Sequence, residues 1–243
     1  MREIVLDTET TGFEPAEGDR IVEIGAVELI GHVPTGRTYH QYINPMRSMP
    51  AGAFGVHGIG PDLLEPPQKP EPGQVLLSDK PVFADIAQDF LDFIGDDVMV
   101  IHNASFDMKF LNAELGWLNR PLLPMTQSLD TLAIARRKFP GSPASLDALC
   151  RRFHIDNSNR TLHGALLDSE ILAEVYLELI GGRQPGFGLA ADTSKTTQSG
   201  DTSEAWRPSA RPTPLASKLT NEEAAAHTVF IESLGDGVLW NRD

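Results

Sequence analysis

Residues 3–12 read EIVLDTETTG, and what their two acids are for decides the fold. Ile4–Leu6 is an apolar run of strand type, yet Asp7 and Glu9 follow at once, then a threonine pair and Gly12. Strand side chains alternate with period two, so Asp7 and Glu9 project to one side, about 7 Å apart along the backbone. Two hard oxygen donors so placed suit Mg²⁺ or Mn²⁺. Acid-x-acid pairs also arise by chance in an acidic chain, and a solvated turn would read the same way. The choice rests on what else the chain brings to this strand.

The stretch TLHGALLDSEILAEVYLELI, residues 161–180, supplies the decisive partner. Helical spacing puts Asp168 on one line with Ile171, Leu172, Val175, Tyr176 and Leu179, which is the face a helix buries. Glu170, Glu174 and Glu178 lie off that line and need only solvent. A buried carboxylate without a partner is costly, so Asp168 needs a cation: either a metal ion or a basic side chain. His163, five residues earlier, is rotated off that face and belongs in the loop before the helix. There it can lean over whatever Asp168 binds, and the adjoining helix N-terminus favours the neutral imidazole a general base requires. A third acid, Asp107 in VIHNASFDMKF, lies early in another helix beside the apolar Phe110 and Leu111. Taken alone it could equally be an exposed first-turn acid favoured by the helix dipole.

The rest of the chain bounds the possibilities. It has 243 residues, 41% hydrophobic, with a formal charge of −14, the profile of a globular chain with one sizeable core. Clustered basic residues, which nucleic-acid binding by counterion release requires, are absent from this balance. Cys150, the only cysteine, excludes an internal disulfide and a cysteine metal cage. No apolar run reaches membrane-spanning length, and the first residues are strand-like rather than a basic and apolar leader, so a cytoplasmic protein is expected. Strands are expected at Ile4–Leu6, Ile21–Ile30, Arg37–Asn44 and Val98–His102. Helices are expected at Val82–Ile94, Ala104–Trp117, Leu129–Phe139, Ser145–Phe153 and Gly164–Ile180. Strands first, then strands mixed with helices, describe an α/β domain with a mixed central sheet. EPPQKPEPGQ, residues 65–74, reads as an exposed proline-rich insert. From Gly181 to about Leu215 the composition is that of a linker, and TNEE at Thr220–Glu223 can start a last helix over Asn221–Leu234.

VLDTETTG, HNASFD and HGALLD resemble the three motifs of the DEDDh exonuclease family, whose fold is ribonuclease H-like: a mixed sheet flanked by helices. DRIVEIGAVEL, FGVHGI, SLDTLAIARRKFPG and SLDALCRRFHIDNSNRTLHGALLDSEILAEVYL extend the likeness over residues 2–181, most closely to the epsilon-subunit branch of bacterial DNA polymerase III. The proline-rich insert and the Thr/Ser/Pro composition of the linker depart from that pattern. The resemblance implies a metal-dependent 3′→5′ DNA exonuclease that proofreads for a replicase and releases dNMPs. It implies two divalent cations, Mg²⁺ or Mn²⁺, held by Asp7, Glu9, Asp168 and Asp107, with His163 as the base. It also implies substrate contacts from Thr8, Thr10, Gly12, Phe54, Val56, His57, Asn103 and Phe106, with Asp130 nearby in a secondary place.

For the tail, the resemblance implies a division into an exonuclease domain at residues 1–181, a flexible linker at 182–218 and a polymerase-binding segment at 219–243. QPGFGL, with Gln184, Phe187 and Leu189, resembles peptides that bind the sliding clamp. Val238, Leu239 and Trp240 form an apolar anchor that suits the polymerase III alpha subunit. The tail from Gly182 carries eight acids against six Lys and Arg, leaving about −12 on the folded part. So acidic a domain is expected to hold DNA through a partner that delivers the 3′ end, by effective concentration.

Overall fold

Period-two alternation in the first strand already divides the core into two layers. In β1 (Arg2–Thr10), Ile4 and Leu6 face one apolar cluster and Val5 faces another. β1 pairs antiparallel with β2 (Ile21–Ile30), which pairs antiparallel with β3 (Val33–Tyr42). On its other side β1 runs parallel to β4 (Val98–Ile101), and β4 parallel to β5 (Ser128–Asp130). The sheet order is β3-β2-β1-β4-β5, the mixed sheet that the sequence and the resemblance imply. The computed structural model describes residues 1–158, 160, 162–182 and 220–233.

One layer is built from α2 (Phe83–Ile94) and α3 (Ala104–Trp117), which pack Phe83, Phe90, Phe110 and Leu111 against Ile4, Leu6, Met99 and Ile101. The opposite layer holds α4 (Thr131–Lys138), α5 (Leu146–Phe153) and α6 (Ala165–Ile180), with Leu149, Leu172 and Val175 against Val5, Val27 and Val100. α1 (Ala51–His57) follows β3 and lies by a third cluster around Met49 and Leu77. Residues 65–74 contain no helix or strand and are mostly exposed, as the prolines require.

Two details set α6 on the sheet. Gly25 of β2 pairs with Asp7, and a Cβ there would overlap the backbone of Ala165 and Leu166. Only glycine lets α6 come this close. Ser169 Oγ then donates to the Gly25 carbonyl at 2.9 Å.

Several boundaries move from the sequence expectation. β1 extends through Thr10, so Asp7 and Glu9 lie inside the strand rather than beyond it. β3 begins at Val33, and the expected helix from Leu129 is a short strand followed by α4. The chain divides into two units, residues 1–189 and 190–243. In the second, α7 (Asn221–Ser233) starts with a capping box: Glu223 N donates to Thr220 Oγ1 at 3.2 Å and Thr220 N to Glu223 Oε2 at 2.9 Å. The expected linker, clamp peptide and terminal anchor (Gln184, Phe187, Leu189, Val238, Leu239, Trp240) lie outside the described residues.

Candidate active site

The two layers converge at the C-terminal half of β1. Asp7 and Glu9 share Val5's side of the strand, toward α6, and α6 brings Asp168 to them. From the opposite layer α3 brings Asp107, whose Oδ1 accepts from Thr8 Oγ1 at 2.7 Å in a buried bond. His163 lies in the loop before α6, half-exposed, and its backbone N–H donates to the Val56 carbonyl at 3.2 Å. All five side chains line one cavity of about 470 Å³, beside Asn103 and Phe106. The site sits where strands of opposite sense flank β1, at the strand ends favoured for ligands in open α/β sheets.

The electrostatics are those of crowded acids. Burial, then Asp107 and Glu9, holds the Asp7 carboxyl well above its ordinary range. Burial, then Glu23, pushes Glu9 up to about 8. Burial raises Asp107 to about 7 although Thr8 donates to it. Asp168 runs the other way. Burial alone would raise it, but hydrogen bonds from Arg160 and His163 outweigh that and hold it below the usual carboxylate range.

Arg160 is therefore the basic partner that the sequence left as one alternative for Asp168. Its side chain is 8% exposed; Nε donates to Asp168 Oδ1 and Nη2 to Asp168 Oδ2 at 2.7 Å. Nη1 reaches Asp147 Oδ1 at 3.0 Å and Nη2 reaches His163 Nδ1 at 2.7 Å. One guanidinium does not balance the set. Among the described residues, no Lys or Arg lies within ion-pair distance of Asp7, Glu9 or Asp107. Glu9, His163 and Asp168 each offer a donor atom within 4.8 Å of the others. Clustered oxygen donors with excess negative charge fit a divalent cation, which inverts the sign of such a site.

The exonuclease family model matches residues 4–176. An epsilon subunit of DNA polymerase III from Rickettsia felis is 48% identical over 96% of this chain and 97% of its own length. The Escherichia coli epsilon subunit is 43% identical over 98% of this chain and 97% of its own length. The chain belongs to the DNA polymerase III epsilon subunit family. It is a 3′→5′ exonuclease, with the proofreading activity of that family. Among solved structures, exonuclease X in complex with 5′ overhanging duplex DNA superposes with TM-score 0.53 at 25% identity, covering 73% of this chain and 90% of that one. The nuclease domain of 3′hExo, a DEDDh family member bound to rAMP, gives TM-score 0.58 at 17% identity, covering 74% and 91%, and shares the fold.

A second cavity of about 630 Å³ adjoins the carboxylates, since Thr8, Glu9 and Phe106 line both. Of the substrate residues that the epsilon resemblance implies, Thr10, Gly12, Val56 and His57 line this second cavity. His57 is buried and neutral, its imidazole pushed down to about 4 by burial, and its Nδ1 accepts from Ile59 N at 3.1 Å. Phe54 does not line either cavity. It packs instead against the cluster of Val22, Met49 and Leu77, because the turn of α1 that aims Val56 and His57 inward aims Phe54 at that core. Asn103 holds its left-handed backbone (φ 68°) without a side-chain cap, and its N–H donates to Asp130 Oδ1 at 3.1 Å. Asp130 also accepts from Leu132 N at 2.9 Å, so it caps α4 and does not line the catalytic cavity.

Two site residues escape sequence reasoning. Arg160 is one; its signal was an arginine three residues before His163 and eight before a buried acid. Glu23 is the other. It is 2% exposed, its Oε2 accepts from Ala165 N at 3.0 Å and its Oε1 lies 2.7 Å from His40 Nε2.

Proposed function

We propose that the chain removes mismatched 3′-terminal nucleotides from DNA as 5′-monophosphates, using Mg²⁺ or Mn²⁺ held by Asp7, Glu9, Asp107 and Asp168. The single observation that carries this reading is the convergence of Asp107 and Asp168, from opposite layers, on the two acids of β1. When bound, two such ions would neutralise the carboxylates and stabilise charge on the attacking and leaving oxygens of a phosphodiester.

The chain's own groups supply the remainder. The second cavity is large enough to hold a nucleotide, and Gly12, Val56 and His57 are among the residues that would meet it. Phe106 stands at the junction of the cavities, edge-on to the exposed Phe13 at 6.5 Å, where its ring can stack on a sugar or base. His163, on an exposed loop, takes the proton of the attacking water at a ring nitrogen. A frayed end enters more readily because its unpairing costs less.

No described helix is long and apolar enough to cross a membrane. The relatives are named as subunits of DNA polymerase III, and a cytoplasmic replicase would supply the DNA end that a −12 domain holds poorly by itself. Contact with the alpha subunit through Val238–Trp240, and with the clamp through Gln184–Leu189, completes the reading. Release of dNMP from a 3′-mismatched primer tests it. Asp7→Ala should lower the rate by more than about 100-fold, while co-purification with alpha persists and is lost on deleting residues 182–243. Undiminished hydrolysis by Asp7→Ala would remove the site assignment.

A further inference from the structure

Arg160 is more deeply committed to the site than a surface ion pair requires. It is the only described Lys or Arg with more than nine-tenths of its side chain buried among those in ion pairs. Its fork takes both oxygens of Asp168, the bidentate geometry in which a guanidinium binds a carboxylate most tightly. The same guanidinium touches His163 Nδ1 at 2.7 Å. The same Nη2 lies 3.4 Å from His163 Nε2, so the guanidinium is close to both ring nitrogens. One side chain thus holds the carboxylate that α6 contributes and stands against the imidazole of His163.

We propose that Arg160 is a displaceable counter-ion: divalent cation and guanidinium compete for Asp168, and the cation's arrival moves the guanidinium away from His163. Three features support the exchange. The oxygens that Arg160 holds are those a cation would take. Its departure has a destination, since Nη1 already reaches Asp147, whose side chain is 45% exposed at the cavity rim. Its loop lies between α5 and α6 and belongs to neither, so the guanidinium can move without disturbing either helix. The consequence is an exchange of partners. Without cation the buried acid of α6 is held by Arg160; with cation, the same two oxygens become available as ligands.

This inference rests on reading the carboxylates as cation ligands, so the experiment separates the two. The full chain, freed of metal with EDTA, is titrated with Mn²⁺ by calorimetry without DNA. Wild type is expected to bind, and Asp168→Ala to lose at least one ion; binding unaffected by that substitution overturns the metal reading itself. With that reading intact, Arg160→Gln is expected to bind Mn²⁺ about tenfold more tightly, from loss of a charged hydrogen-bonded competitor, with Arg160→Lys between. Equal or weaker binding by Arg160→Gln overturns the proposal. Thermal unfolding covers a folding defect: Arg160→Gln should melt lower than wild type in EDTA and gain more from Mn²⁺. A variant that stays unfolded with Mn²⁺ shows Arg160 to be a fixed part of the fold, and also overturns it.

Discussion

The carboxylate of Glu23 accepts the first backbone N–H of the helix that carries Asp168: Oε2 lies 3.0 Å from Ala165 N. The bond fixes where α6 starts, and therefore where Asp168 and His163 stand over β1. A buried anion also complements the positive end of the helix. Glu23→Ala is expected to lower stability by about 1–3 kcal/mol, the cost of leaving buried groups unpaired, and to lower kcat. Glu23→Gln keeps an acceptor for Ala165 and should recover most of both. Urea unfolding in EDTA beside initial rates on a mismatched primer reads this out; equal stability of all three proteins would contradict it.

Gly25 acts on the same helix from below. Its missing Cβ is the space in which the Ala165–Leu166 backbone lies. Gly25→Ala should lift the start of α6, costing about 1–3 kcal/mol as overpacking does and most of the activity. A wild-type melting temperature with wild-type kcat would show that the close approach is dispensable.

Thr8 orients Asp107 from across the layers. Thr8→Val keeps the volume but removes the donor at 2.7 Å and leaves a buried carboxylate short of a partner. Activity is expected to fall about 10–100-fold, as for other groups that orient a metal ligand, and the Mn²⁺ concentration at half-maximal rate to rise. A fall in kcat with no change in the metal requirement would contradict the orienting role.

The pH dependence has a definite sign. Glu9 near 8 and Asp107 near 7 hold protons in the native chain that the unfolded chain releases from about pH 4 upward. Native stability without metal therefore falls as pH rises from about 5.5 to 8.5, by on the order of 5 kcal/mol. Asp168, held low, contributes a constant amount across that window and loses it only in acid. Metal binding must release the raised protons, so Mn²⁺ affinity should climb over the same interval. Urea midpoints at the two pH values in EDTA check the first statement, and a flat or rising stability would contradict it.

Periodicity carried the long elements. β2 and α3 fall where the apolar pattern puts them, and α2, α5 and α6 begin one residue later than expected because Val82, Ser145 and Gly164 stand at their caps. Short elements were not legible. α1 holds two glycines in seven residues, little of a helix former, and is held by its neighbours. β5 is three residues whose strand character comes from pairing with β4. β1 runs past its apolar run because β2 supplies hydrogen bonds to Asp7 and Glu9, residues with little strand preference of their own.

The site divides in the same way. Asp7, Glu9, Asp107 and Asp168 were visible because acids at apolar positions demand an explanation. Glu23 was not, since glutamate between Val22 and Ile24 reads as the polar face of a half-buried strand, whereas both faces of β2 are buried. Arg160 was not, since its pairing with Asp168 depends on the path of a loop that no periodicity describes. Phe54 shows the converse: a residue that matches a motif while its side chain serves the core.

The central claim is that the acids converging on β1 form the cation site of a 3′→5′ exonuclease. Anomalous diffraction from crystals of the full chain grown with Mn²⁺ and a terminal dNMP tests it most directly. Manganese peaks are expected bounded by Asp7, Glu9 and Asp168 and by Asp7 and Asp107, with the nucleotide against Val56 and His57 and Arg160 drawn off Asp168 toward Asp147. Crystals saturated with Mn²⁺ that show no peak among these carboxylates, and Arg160 still forked on Asp168, would contradict it.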